Sequence, residues 1–112
     1  MSMQLETKEI EYNGEVYTLT ANMEALEAIQ EEFGGMSAVY NSIPGVIADG
    51  FFRAMLNAAR AERGEPPVDK KTIHREYSYA MLHELDMVGM LNRAMFPETA
   101  LKSENKNDDP GN

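Results

Sequence analysis

The chain has 112 residues, 43% of them hydrophobic, with 19 Asp and Glu against 10 Lys and Arg, a formal net charge of −9, and neither cysteine nor tryptophan. That length allows one modest core and excludes two full domains, while the acidic balance argues against nucleic-acid binding, which rests on Lys and Arg displacing counterions from phosphates. Without cysteine there are no disulfides, iron–sulfur clusters or ordinary structural zinc sites, a composition suited to a reducing cytosol.

The start, Met-Ser-Met-Gln-Leu-Glu-Thr-Lys-Glu, lacks the basic end and apolar stretch of a signal peptide. Residues 3–20 read as a β-hairpin, because Asn13-Gly14 between Tyr12 and Glu15 is the strongest short hairpin signal. A two-residue loop pairs Tyr12 with Glu15 and Ile10 with Tyr17. Ile10, Tyr12, Tyr17 and Leu19 then share a core face, and Glu9, Glu11, Val16 and Thr18 share a wet one. A lone hairpin is marginal in water, so this one must lie on helices or lend its edge to a neighbour.

A helical body over 22–97 follows. Asn22 is a good N-cap, with Glu24 in the first turn where a carboxylate suits the helix dipole. Met23, Leu26, Ile29 and Phe33 form one flank of this helix, and Glu24, Glu27 and Glu31 the other; Gly34-Gly35 ends it. A short helix from Met36 to about Ser42 stops at Ile43-Pro44, since the residue before proline is pushed out of the α region. Pro44-Gly45 opens a third helix, to about Arg63, with proline in its favoured first turn. On it Asp49, Arg53, Asn57 and Arg60 occupy a narrow arc, and nearly everything else to Ala61 is apolar or small, so this helix is the core. Its run Ile43 to Leu56 is too short and too charged to span a bilayer.

Gly64-Glu65-Pro66-Pro67 is a hard stop, after which Asp69 caps a further helix. The stripe Ile73, Tyr77, Met81, Leu85, Val88, Leu91 and Met95 keeps one helical phase, predicting a single long helix with a kink near Ser78. Tyr79, Met87 and Met90 form a second arc. Pro97 closes the element, and 98–112, with Leu101 its one aliphatic residue larger than alanine, reads as a disordered tail. The expected fold is α+β, mostly α: one domain over 1–97, an N-terminal β-hairpin and four or five helices, then the tail.

Charge is segregated along the chain. Residues 1–35 hold eight acids and one base, 36–97 seven of each, and 98–112 four acids and two bases. The acid belongs to the hairpin and first helix. Glu9, Glu11, Glu15, Glu24, Glu27 and Glu31 are its expected surface, which keeps the protein soluble or faces a basic partner.

No catalytic or metal-binding motif is complete in the sequence. His83-Glu84-Leu85-Asp86-Met87 begins like the HExxH zinc signature, but Met87 stands where the second histidine is needed, and His74 and His83 fall on opposite sides of a helix. Gly34-Gly35 follows a helix rather than opening one, contrary to a phosphate cradle. No catalytic, metal or cofactor residues are assigned, and no membrane segment. Of nine methionines, Met81 and Met95 lie on the main stripe and read as core, whereas Met87 and Met90 lie off it. Methionine also makes adaptable surfaces for varied apolar partners. Ile10, Tyr12, Tyr17, Phe51, Phe52, Met55, Tyr79, Met87 and Met90 are the expected partner or self-association surface.

The order of parts resembles the small tail assembly chaperones of long-tailed bacteriophages and the related gene transfer agent proteins. The likeness runs over roughly residues 5–96: the Asn-Gly hairpin, the run Leu19 to Gly34 anchored by Ala25-Leu26 and Glu31-Glu32-Phe33-Gly34, the apolar helix with its Gly/Pro break, and the start Val68-Asp69-Lys70-Lys71-Thr72. The resemblance implies a protein of the bacterial host cytoplasm that binds the aggregation-prone tape-measure protein before tail-tube polymerisation and is absent from the finished virion. It further implies a homo-oligomer, the tail-tube protein as a second candidate partner, and a longer form made by frameshifting near Lys102 to Asn107. Two other readings compete: an acidic adaptor or regulatory subunit for a basic protein, and a DNA mimic that blocks a nucleic-acid enzyme.

Overall fold

The computed structural model describes residues 5–96. The expected tail disorder at 98–112, and the first residues of the expected hairpin, lie outside the described residues. Strands β1 (Thr7–Tyr12) and β2 (Glu15–Thr20) are followed by six helices: α1 (Met23–Phe33), α2 (Met36–Tyr40), α3 (Pro44–Glu62), α4 (Lys70–Glu76), α5 (Tyr79–Glu84) and α6 (Met87–Met95).

The hairpin has the expected register, with Tyr12 opposite Glu15 and Ile10 opposite Tyr17. Asn13 and Gly14 both take positive φ, 53° and 81°, the geometry whose twist matches the flanking strands. Tyr12, Tyr17 and Leu19 are buried beneath it. Helix α1 starts where the Asn22 carboxamide accepts from the Ala25 N–H at 2.9 Å. It ends at Gly34, in the left-handed region with φ 89°. Asp69 caps α4 in the same way as Asn22 caps α1, accepting from the Thr72 N–H at 2.8 Å.

Helix α3 is the axle. The hairpin (through β2), α1, α4, α5 and α6 all pack on it, and Phe51, Phe52, Met55 and Leu56 are at most 1% exposed. Gly50 lets α1 come close: a Cβ there would stand 2.8 Å from the Phe33 ring. A chain of aromatic rings ties the hairpin to this axle, with Tyr17 edge-on to Tyr12, Tyr12 stacked on Tyr77 at 6.5 Å, and Tyr77 against Phe52 at 4.8 Å.

The single long final helix is not formed. Tyr77 and Ser78 are extended, with Ser78 capping a new helix through the Met81 N–H at 3.2 Å. Asp86 then turns left-handed at φ 60° and starts a third. Each break resets the helical phase. Leu82, not Met81, is the buried residue of α5, leaving Met81 46% exposed, while α6 buries Met87, Met90 and Leu91. Met23, expected in the core flank of α1, is 70% exposed, because it occupies the first helical position and Ala21 and Ala25 fill the interior on either side of it.

The close approach at Gly50 yields a test. Gly50→Val should lower unfolding free energy in urea by about 1–3 kcal/mol through overpacking. That cost should shrink in a Phe33→Leu background; equal costs in both would show that Phe33 is not what constrains the position.

Candidate functional site

Most of the expected partner surface is interior in the folded chain. Phe51, Phe52, Met55, Met87 and Met90 are at most 1% exposed, and Tyr12 and Tyr17 are buried against the chain's own helices. Ile10 is half-buried and packs on the same core. For Met87 and Met90 the cause is the break at Asp86, which rotates α6 so that the off-stripe arc turns inward. For the α3 residues the cause is that packing covers more of the helix than one face. Tyr79 alone of these nine is exposed, at 48%. The acidic expectation has a different outcome: Glu9, Glu11, Glu15, Glu24, Glu27 and Glu31 are all exposed.

Tyr79 belongs to a groove of about 460 Å³ between the first turn of α3, α4 and the start of α5. Its walls are Ile43, Val46, Ile73, Tyr77, Tyr79 and Leu82. Ile73 and Leu82 are buried, whereas Ile43 and Val46 stand 68% and 39% exposed on the rim. Gly45 on α3 faces the Tyr79 ring of α5, where a Cβ would make an ordinary contact at 3.5 Å. Elsewhere on the surface, Tyr40 and Phe96, both exposed, pack together at 5.9 Å. Ile43 is not among the expected surface residues, although it lies just outside the helix that reads as core. The available signal was Pro44: a first-turn proline marks a helix end, where the preceding residue projects beyond its neighbours.

One side of the groove is polar and built on a buried ion pair. Arg53 donates to Asp49 through Nε at 3.1 Å and Nη2 at 2.9 Å, and to Glu32 through Nη1 at 2.9 Å and also through Nη2. His74, half-exposed on α4, brings Nε2 to 3.0 Å from Asp49 Oδ2. Burial works against the charge on both central groups. On Asp49 it is outweighed by hydrogen bonds and charge from Arg53 and His74, which hold the carboxyl below the usual carboxylate range. On Arg53, the hydrogen bonds it donates to Glu32 and Asp49 outweigh it, and the guanidinium is held firmly protonated. The polar arc of α3 is therefore enclosed at this point, with Asp49 and Arg53 both buried. Asn57, one turn on, clasps the loop after α3, accepting from the Val68 N–H at 2.7 Å and donating to its carbonyl at 3.1 Å.

At the other end of α3, Arg60 and Arg63 clamp the hairpin. Arg63 lies over the Tyr17 ring at 4.2 Å. Arg60 donates to the Tyr17 hydroxyl at 3.0 Å, and that hydroxyl donates to Glu65 at 2.7 Å. The hydrogen bond to Glu65, reinforced by burial, raises the phenol above its ordinary range.

Among the described residues, no three His, Cys, Asp or Glu side chains converge as metal ligands, and no helix is long and apolar enough to cross a membrane. No protein-family model, curated protein or solved structure matches the chain.

The buried pair gives a prediction with a definite pH sign. A carboxylate whose pKa is depressed in the folded state adds stability that is present above its unfolded pKa, about 3.9, and lost as pH falls through the folded value. Asp49→Asn should cost about 3 kcal/mol at pH 7, because it leaves Arg53 buried with half its partners. It should also flatten the fall in stability below about pH 4. Urea unfolding at pH 7 and at steps below pH 4 checks both. An unchanged acid slope would show that Asp49 does not carry the linkage.

Proposed function

We propose that this protein is a tail assembly chaperone that holds the tape-measure protein of a phage or prophage in solution, receiving an apolar helical segment in the groove between α3, α4 and α5. The observation that carries the reading is the exposed apolar rim, Ile43, Val46 and Tyr79, around a groove with a buried apolar floor. A tape-measure protein is long and helical, and an amphipathic helix seats its i, i+3, i+4 and i+7 side chains in such grooves. The order of elements over 5–96 that resembles these chaperones is a second support, and the exposed carboxylates of the hairpin and α1 suit a complex that must stay soluble.

Co-production with the tape-measure protein encoded in the same gene cluster tests the reading. With this chain present the tape-measure protein should move to the soluble fraction. Ile43→Ser combined with Val46→Ser should lower that soluble fraction several-fold, since two apolar anchors are lost, while the thermal midpoint of the variant alone stays close to wild type because both side chains are on the surface. Equal insolubility with and without this chain would end the chaperone reading; full activity of the double variant would remove the groove from it.

A further inference from the structure

The two outer edges of the hairpin are not equivalent. The Ala21 N–H donates to the Glu6 carbonyl at 3.0 Å, so Glu6 and Ala21 continue the ladder, and alternation then points residues 8, 10 and 12 at β2 and residues 7, 9 and 11 outward. By the same parity, 16, 18 and 20 point outward from β2. That edge is partly occupied: the Val16 carbonyl accepts from Arg63, and the Thr20 carbonyl from the Asn22 N–H at 3.0 Å. On β1, Thr7, Glu9 and Glu11 are exposed, and none of their outward N–H or C=O groups has a partner among the described residues. Such an edge is a template for one more strand.

Charge then selects the strand. An antiparallel second copy in the same sheet is related by a two-fold axis normal to the sheet, so residues of equal parity face each other. Centring the axis on Ile10 puts Glu9 against the other copy's Glu11, centring it on Glu9 or Glu11 puts that glutamate against itself, and centring it on Lys8 opposes two lysines; an axis at Thr7 opposes no like charges but overlaps the two β1 strands at Thr7 alone. Like charges directly opposed are destabilising. The same two carboxylates would face favourable partners on a strand with Lys or Arg at alternate positions, whose intervening apolar side chains would cover the exposed part of Ile10.

We infer that the β1 edge is a second binding site, one that takes an extended segment of a partner protein with alternating basic and apolar residues in preference to a second copy of this chain. This site is separate from the groove and stands whether or not the groove holds a tape-measure helix.

The probe is a capped seven-residue peptide of alternating lysine and valine, titrated into the full chain and followed by amide NMR and hydrogen exchange. Exchange at Thr7, Glu9 and Glu11 should slow several-fold, with Lys8, Ile10 and Tyr12, already bonded to β2, changing least. Glu9→Lys combined with Glu11→Lys should weaken the peptide about tenfold or more and admit the glutamate–valine counterpart, with the thermal midpoint unchanged. The lysine–valine peptide N-methylated along its bonding edge should not bind. Any of four results would overturn the inference: no binding, undiminished binding of the N-methylated peptide, undiminished binding to the charge-reversed chain, or protection of Thr7, Glu9 and Glu11 that rises with protein concentration in the absence of peptide.

Discussion

A 19-residue helix that is apolar or small around most of its circumference has to be covered on nearly every side, and α3 imposes that condition on the rest of the chain. The hairpin, α1 and the three later helices are each too short or too one-sided to be stable in isolation. Each gains its stability by burying one face on α3. The polar arc of α3 is drawn into this arrangement: once α1 and α4 close over Asp49 and Arg53, the two charges must satisfy each other, and Glu32 and His74 supply the remaining contacts from the covering helices. The ion pair and its partners thus join α3 to both α1 and α4.

Coverage is incomplete at the first turn of α3. The covering helices are short, α4 and α5 meet at the extended pair Tyr77-Ser78, and the corner between them leaves Ile43, Val46 and Tyr79 in contact with water above a buried floor. A second gap lies at β1, which overhangs α3 while β2 rests on it. The two openings differ in chemistry. One is apolar and shaped for side chains; the other offers backbone groups flanked by carboxylates.

How much of this was legible in the sequence depended on whether the signal was local. Asn13-Gly14 specified the hairpin and its register because positive φ at two successive positions admits few other outcomes. Asn22, Gly34, Pro44 and Asp69 marked helix ends for equally local reasons, of capping and ring geometry. The break at Asp86 was hidden, because Leu85, Val88 and Leu91 satisfy an unbroken helical period as well as a reset one, and a left-handed aspartate leaves no pattern in hydrophobicity. The misassigned partner surface followed from that error for Met87 and Met90. For Phe51, Phe52 and Met55 it followed from reading a wide apolar circumference as an open one. The buried pair did have a signal: opposite charges four residues apart, alone in an apolar stretch, are placed to satisfy each other if the helix is enclosed.

The account's central claim is that an apolar partner segment enters between α3, α4 and α5. Photo-crosslinking tests it most directly, with a photoreactive residue placed at position 79 in one preparation and at position 15, at the opposite end of α3, in another, each co-produced with the tape-measure protein. The account predicts adducts from position 79 that map to the apolar faces of tape-measure helices, and few from position 15. Adducts from position 15 without adducts from position 79 would contradict it.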